Sequence, residues 1–393
     1  MSFIEPEGDS NPSDVTFSPV AFADATATFV LFGATSSLLG PLLVSLARRY
    51  DLSLPTAGTV VSVFFVGAFL GVPLGYVGVR RLRGNTVLAM MMALTVLGAL
   101  IAWTSDLWRT FVFGVFVIGL AFGAVDFALN TLLVRTEVRG RGHRLSLANA
   151  GYGVGAVVGP LLIIAIHPSN FPVLFAAIAV TSVALAFFFG GIHAPPLHAV
   201  HQRRSLFIKG RRRSILWTFV LAYVLYVCTE TSASGWMAPQ LLRGGYSQSL
   251  ASGVTAGFWG ALALGRMIAG PLAKRWSEPV LVLGGLAVAV VLSVTAILNG
   301  VAPYSYALLG LIIASVYPMG LIWYTTLCPG DSDGLATLIL CMMLGGVAGP
   351  ATESLMVSIS GIHAVPVVIA VFALCDLAVF ASVLRFEPSG QVL

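Results

Sequence analysis

Charged residues are scarce in this sequence. Only 9% of its 393 residues are Asp, Glu, Lys or Arg, whereas 58% are hydrophobic. A soluble protein carries roughly 25% charged residues, which cover its water-facing surface. The composition therefore excludes a soluble globular protein and indicates a membrane protein. The length of such a chain predicts its number of membrane spans.

The sequence also lacks the motifs of enzymes and of ATP-driven pumps. It has no HExxH pair, no Gly-rich phosphate loop and no G-x-S-x-G turn. Its six histidines fall in expected loops or at helix ends, where none can serve a buried nucleophile as a base. We expect no enzyme and no cofactor, so that uphill transport must draw on an ion gradient.

Cysteine is equally rare and unpatterned. The four cysteines form no CxxC pair, and we expect them to be small apolar filler. Three histidines, His193, His198 and His201, lie close together in a basic stretch. Neighbouring arginines repel a cation there, so the sequence predicts no metal site.

Twelve apolar segments are each long enough to cross roughly 30 Å of hydrocarbon. The N-terminal tail, 1–19, is acidic and is not a signal peptide. The spans are expected at 20–46, 56–77, 86–104, 110–134, 146–166, 171–192, 215–242, 248–272, 278–298, 303–327, 333–359 and 364–385.

One long polar break, 193–214, divides these spans into two halves, 20–192 and 215–385, and a short tail, 386–393, ends the chain. Sixteen of the 21 basic residues fall on the side of the two chain ends and four on the other side. The positive-inside rule then makes both ends cytoplasmic, and we expect a multi-pass protein of the inner (cell) membrane. The basic residues are topology signals, so no nucleic-acid partner is expected.

A carboxylate stands within the fourth span, in GLAFGAVDFALN at 119–130. Asp126 and Asn130 are four residues apart and share one helix face. Intramembrane acids usually face a bundle interior or an aqueous cavity. We interpret this face as part of a transport path and Asp126 as its proton site, the alternative being a structural carboxyl.

Five other ionisable groups fall within spans. Glu230, in the polar stretch CTETSASGW, is expected to bind the transported substrate, here called the cargo, or to take part in coupling to the ion. Glu353, in span 11, is expected to pair with Glu230 or to bond the cargo. Arg266, in span 8, either snorkels to the surface or neutralises a buried carboxylate and is interpreted as a latch. Asp376, in span 12, is interpreted as structural, and Asp24 as interfacial.

Aromatic and amide side chains on the polar spans complete the expected site. An aromatic ring with a polar atom can stack on a sugar while bonding its hydroxyls, and an amide can both donate and accept. On these grounds the expected cargo-binding residues are Asn130, Tyr152, Glu230, Gln240, Trp259, Tyr317 and Glu353.

Several ordered motifs resemble the major facilitator superfamily, and within it the fucose permease branch of proton symporters. These are LPTAGTVVSVFFVGAFLG at 54–71, Asp126 with Asn130, HRLSLANAGYGVGA at 143–156, Gly265 with Arg266, Tyr317 with Pro318, and Gly345, Gly346 and Pro350. The resemblance implies twelve transmembrane helices in two pseudo-symmetric six-helix bundles, an all-α fold. It also implies that Asn149 occupies the position of a sugar-binding amide.

Two departures from the family pattern stand out. In GYVGVRRLRGN at 75–85, Val79 stands where the family has an acid before its basic run. The branch also has an acid in its first span, which would fall near Gly40, where this sequence has none. Glu230 is the candidate replacement from the other half.

The residues and the resemblance together predict proton-coupled hexose uptake by a monomeric carrier in the lipid bilayer. Asp126 and Glu230 would handle the proton, and no cofactor beyond that ion is expected. The alternative within the superfamily is a proton-driven exporter of drugs or small metabolites. A non-transporting sensor or scaffold would need no buried carboxylates and is disfavoured.

Overall fold

The computed structural model describes residues 15–136, 143–166, 170–196 and 210–386. The expected tails and the central linker lie largely outside these ranges, as do His198 and His201. The first half contains six helices. They are α1 (Pro19–Arg49), α2 (Leu54–Arg81), α3 (Gly84–Trp103), α4 (Trp108–Thr136), α5 (His143–Ala165) and α6 (Pro172–Phe188).

The second half contains seven helices in the described ranges. They are α7 (Arg211–Arg243), α8 (Gln248–Leu272), α9 (Glu278–Thr295), α10 (Ala302–Ile313), α11 (Val316–Leu327), α12 (Ser332–Ser360) and α13 (Ala364–Val383). Short 3₁₀ turns follow α6 at Phe189–Gly191 and α13 at Leu384–Phe386.

Polar caps and proline set several of the helix starts. Ser18, Ser53 and Ser247 accept hydrogen bonds from backbone N–H groups in the first turns of α1, α2 and α8. Such caps satisfy donors that the helix leaves unpaired. Proline at the start of α1 and α2 costs nothing, because its missing N–H would have no partner there.

The tenth expected span is broken into α10 and α11. The carbonyl of Ala314 would normally accept from the residue four positions on, which is Pro318. Proline has no N–H to donate, so the ladder is interrupted there, and the helix is broken at Ala314 and Ser315. Tyr317 consequently stands in the first turn of α11.

The twelve expected spans correspond to α1–α9, the pair α10 and α11, α12 and α13. Eleven of these are apolar and long enough to cross a membrane, Ala302–Leu327 counting as one. The remaining helix, α8, has 25 residues, enough for about 37 Å at 1.5 Å per residue. Large apolar side chains of the outer helices are exposed, among them Val180, Phe187, Val291 and Leu374, as expected of lipid-facing surfaces.

The two halves repeat the same packing. In the first, α1 packs on α5, α2 on α4, and α3 on α6; in the second, α7 packs on α12, α8 on α10, and α9 on α13. Each pair of the first half therefore has a counterpart six spans later. This repetition confirms two pseudo-symmetric six-helix bundles, which meet through α2 with α12, α5 with α8, and α1 with α7.

Glycine permits the closest of these contacts. A Cβ built on Gly123 of α4 would lie 1.8 Å from the backbone oxygen of Ala68 in α2. One built on Gly155 of α5 would lie 1.9 Å from the oxygen of Val30 in α1. Small residues that let backbones approach are typical of membrane bundles.

Both ends of the described chain lie on one side of the bundle, here called the terminal side. Strand β1 (Thr16–Phe17) pairs antiparallel with β2 (Ile192–His193), which joins the start of α1 to the end of the first half. Arg211, at the start of α7, donates to the backbone oxygen of Phe386. The other side, where α1 ends and α2 begins, is called the opposite side.

Candidate functional site

The first-half wall of the site is a chain of hydrogen bonds from α4 to α5. Asn130 Nδ2 donates to Asp126 Oδ1 at 3.0 Å and to the Asp126 backbone oxygen at 2.9 Å. Asn149 Nδ2 donates to Asn130 Oδ1 at 2.9 Å. The spacing of four on α4 makes the first contact, whereas the second needs α5 packed beside it. Three expected site residues are therefore brought together.

Asp126 forms no ion pair with an arginine in the described part of the chain. Within the described ranges the salt bridges are Arg49 with Asp106 and Arg266 with Glu230. Asp126 is half-buried, and its one side-chain partner is a neutral amide. A carboxyl group in that environment can exchange a proton without breaking an ion pair.

The second-half wall contains the other ion pair. Arg266 Nη2 of α8 lies 3.7 Å from Glu230 Oε2 of α7. The guanidinium also stands 5.6 Å from the ring centre of Tyr317, within the range of a cation–π contact. Of the two roles considered for Arg266, neutralising a carboxylate is the one this geometry shows.

The two walls lie within electrostatic reach of each other. Tyr317 of α11 interacts with Asp126 of the first half and with Glu230 and Arg266 of the second. Tyr152 of α5 interacts with the same three groups. The carboxylates of the two halves are therefore gathered around one central region.

A cavity of about 90 Å³ lies between the halves at mid-depth. Three expected residues line it, namely Tyr152, Glu230 and Trp259. Eight further residues complete the lining: Ser36, Gly40, Val61, Phe65, Val227, Thr231, Ser234 and Gly235. In the sequence, the short polar run Thr35 to Ser37 within an otherwise apolar span could have indicated that α1 lines the cavity.

Aromatic rings form one side of this cavity. Tyr152 bonds the Ser36 hydroxyl at 2.8 Å, stacks on Phe122 at 6.0 Å between ring centres and meets Trp259 edge-on at 6.5 Å. Phe122 belongs to the turn of α4 that precedes Asp126. The stack thus connects the proton-site helix with the cavity.

Gln240 stands away from this cavity. Its Nε2 donates to the backbone oxygen of Ala296 at 3.0 Å, and its Oε1 accepts from the Tyr306 hydroxyl. Both ends of the amide therefore join α7 to neighbouring segments of its own half. The expectation that Gln240 holds cargo does not fit this conformation, because its hydrogen-bonding groups are already engaged within the protein.

Glu353 and Asp376 are also separate from the cavity. Both are fully buried, and their carboxyl oxygens have no hydrogen-bond partner among the described residues. Glu353 lies within electrostatic reach of Tyr306, and Asp376 of Cys228 and Tyr223. Within the described ranges Glu230 pairs with Arg266 and not with Glu353. Asp24 is buried rather than interfacial, again without a partner there.

The bundle is sealed on the opposite side. A Cβ on Gly40 of α1 would lie 2.5 Å from the Ser234 oxygen of α7, and Gln248 of α8 donates to the Pro41 oxygen at 3.2 Å. On the terminal side, Asn149 and the Arg266 side chain are exposed, and no comparable packing joins α4 to α10 or α11 in the described ranges. The site is therefore reached from the terminal side.

Comparison with known proteins identifies the family. The model of the Major Facilitator Superfamily matches residues 25–337, which is well over half of the chain. The chain therefore belongs to the major facilitator superfamily, a family of transporters rather than enzymes. No curated protein sequence matches the chain at a significant level.

Solved transporters share this fold at low sequence identity. The E. coli fucose:proton symporter FucP is 18% identical with a TM-score of 0.64, the match covering 94% of this chain and 99% of that one. The D-xylose-proton symporter is 15% identical with a TM-score of 0.72, covering 95% and 99%. The nucleoside transporter NupG is 14% identical with a TM-score of 0.72, covering 94% and 100%. At these identities the likeness concerns the fold alone.

Proposed function

We propose that this transporter couples the uptake of a hexose to the entry of a proton, with Asp126 as the residue that carries the proton. The observation behind the proposal is the hydrogen-bonded chain of Asp126, Asn130 and Asn149. It connects a half-buried carboxyl group, which has no cationic partner among the described residues, to an exposed amide at the terminal-side opening.

The mechanism follows from the cost of moving a charge through a low-dielectric region. An ionised Asp126 resists burial between the halves, and protonation removes that resistance. A carrier loaded with both proton and cargo then reorients more readily than one in which Asp126 is ionised. Glu230, the second carboxylate of the site, would take part in coupling through its loose pair with Arg266.

The cargo would bind where the two walls meet. Asn130 and Asn149 offer amides on one side, Tyr152 and Trp259 offer ring faces in the cavity, and Glu230 and Tyr317 face them from the second half. Two of the similar structures, FucP and the D-xylose-proton symporter, are by name sugar–proton symporters, which supports this choice of cargo.

We further propose that the terminal side is cytoplasmic and that the membrane is the cell (inner) membrane. We also propose that the carrier works as a monomer. The excess of arginine and lysine on that side supports the orientation. Both walls of the site come from a single chain, which supports a monomeric carrier.

The proposal is tested by replacing Asp126 with Asn in proteoliposomes with an inward proton gradient. The unmodified protein should concentrate labelled glucose; a driving force of about 100 mV corresponds to roughly 50-fold. Asp126→Asn should lose this accumulation while keeping glucose exchange between equal pools, since exchange needs no net proton movement.

Asp51→Asn is the matched control, because Asp51 lies in an exposed turn outside the spans with φ 50°, a conformation that Asn tolerates. It should accumulate glucose like the parent. If Asp126→Asn still concentrates the sugar, Asp126 is not the coupling residue. Ethidium extrusion by the parent without sugar uptake would instead indicate the exporter alternative.

A further inference from the structure

Two residues on one face of α8 can only donate hydrogen bonds. Trp259 and Arg266 are seven residues apart, which places them on the same face about 10 Å apart along the axis. An indole N–H and a guanidinium have no acceptor. Trp259 lines the central cavity, and its buried Nε1 has no acceptor within the described ranges.

The ion pair between Arg266 and Glu230 is loose. Their 3.7 Å separation exceeds the roughly 2.7–2.9 Å of a charge-assisted hydrogen bond. The Arg266 side chain is 41% exposed, against 14% for Glu230. Since the Tyr317 ring covers only one face of the guanidinium, several of its five N–H groups remain available to the open terminal side.

A third donor stands beside this pair. The Tyr226 hydroxyl belongs to the turn of α7 before Glu230 and interacts with both Glu230 and Arg266. The residue is only 1% exposed, and the hydroxyl makes no hydrogen bond of normal geometry in the described part of the chain. A buried hydroxyl without a hydrogen bond of good geometry is costly, and a ligand carboxylate would offer it an acceptor.

We propose that Arg266 and Tyr226 form a receptor for a carboxylate, so that the cargo is a sugar acid of the hexuronate type. This inference rests on the proposed function and narrows its cargo. The carboxylate would bind the guanidinium and the Tyr226 hydroxyl, and the ring would lie toward Trp259 and Tyr152. Because the two residues are about 10 Å apart along the axis of α8, a six-carbon acid can lie between their side chains.

Charge balance agrees with this assignment. Among the described residues, Arg266 is the one basic side chain that lies well inside a span rather than near its end. Arg266 neutralises Glu230 only loosely, so its guanidinium can also serve the desolvated carboxylate of a cargo. The extra negative charge of the cargo is compensated by the proton taken up by Asp126, so acid and proton cross together as a neutral pair.

The test compares D-glucuronate with D-glucose as ligands of the purified full-length protein. Thermal shift titrations at one pH should give a Kd at least about tenfold lower for glucuronate, as expected from one added charged hydrogen bond. Arg266→Gln should remove this preference for glucuronate, and Tyr226→Phe should reduce it. Arg243→Gln, at the exposed opposite-side end of α7, is the matched control and should bind like the parent.

Equal or tighter binding of glucose by the unmodified protein overturns the carboxylate receptor, whatever the variants do. An unchanged preference for glucuronate in Arg266→Gln also overturns it, as does an unchanged preference in Tyr226→Phe should Arg266→Gln not fold. Accumulation of glucose that depends on Asp126 would leave the proposed function standing in those cases. Failure to concentrate either sugar on a proton gradient would overturn both.

Discussion

Some polar residues in this bundle face the central region. Others form hydrogen bonds only with residues of their own half. Asn130 and Asn149 extend the Asp126 carboxyl toward the terminal-side opening. Gln240, an amide of similar chemistry, is occupied by Ala296 and Tyr306. The difference lies in position alone, because all three side chains offer the same donors and acceptors.

This division gives a prediction for Gln240→Leu. Stability should fall by about 1–3 kcal/mol, because the buried Tyr306 hydroxyl and Ala296 carbonyl lose a partner. Cargo affinity should stay unchanged, since Gln240 stands away from the cavity. Thermal unfolding with and without cargo measures both. Asn149→Ala should show the reverse pattern, and a loss of affinity in Gln240→Leu would place that residue in the binding site.

At the scale of helices, backbone contacts through glycine determine how close the helices lie. A Cβ on Gly67, Gly71 or Gly75 of α2 would lie 2.1–2.4 Å from a backbone oxygen of α4. One on Gly119 or Gly123 of α4 would lie 2.1 or 1.8 Å from a backbone oxygen of α2. Dispersion between closely packed backbones replaces the hydrophobic effect that drives packing in water. The position of Asp126 depends on this contact, since Gly123 lies one turn before it.

Gly123→Ala should therefore destabilise the protein by ~3 kcal/mol, the upper end of the usual cost of overpacking. The added Cβ would meet the Ala68 backbone oxygen at 1.8 Å, and neither helix can yield without moving its neighbours. The melting temperature in detergent measures the effect. Gly253→Ala is the control, because nothing lies within 4 Å of a Cβ there; equal melting temperatures for the two variants would contradict the prediction.

At the scale of the whole molecule, the two halves touch on the opposite side and part on the terminal side. Gly40 of α1 lies against Ser234 and Gly235 of α7, directly at the cavity lining. Alternating access requires these contacts to separate when the terminal side closes. A bulky residue at Gly40 should thus bias the carrier toward that other state.

We expect Gly40→Leu to reduce labelling of a cysteine placed at Asn149 by a water-soluble maleimide. The four native cysteines would first be replaced by alanine, and labelling rates would be compared in detergent. The rate should fall several-fold, since closing the terminal side covers Asn149. Gly253→Leu should label at the original rate, and an unchanged rate in Gly40→Leu would show that Gly40 does not bias the two states.

The sequence by itself determined the membrane class, the span pattern and the proximity of Asp126 to Asn130, because hydropathy, charge bias and helical periodicity are properties of neighbouring residues. Only the tertiary structure decided that Asn149 joins that pair, that Arg266 neutralises Glu230 and not Asp126, and that Gln240, Glu353 and Asp376 stand away from the cavity. Those outcomes depend on which faces of distant helices meet. Packing between residues far apart in the chain determines which helix faces meet, and a local sequence pattern does not show it.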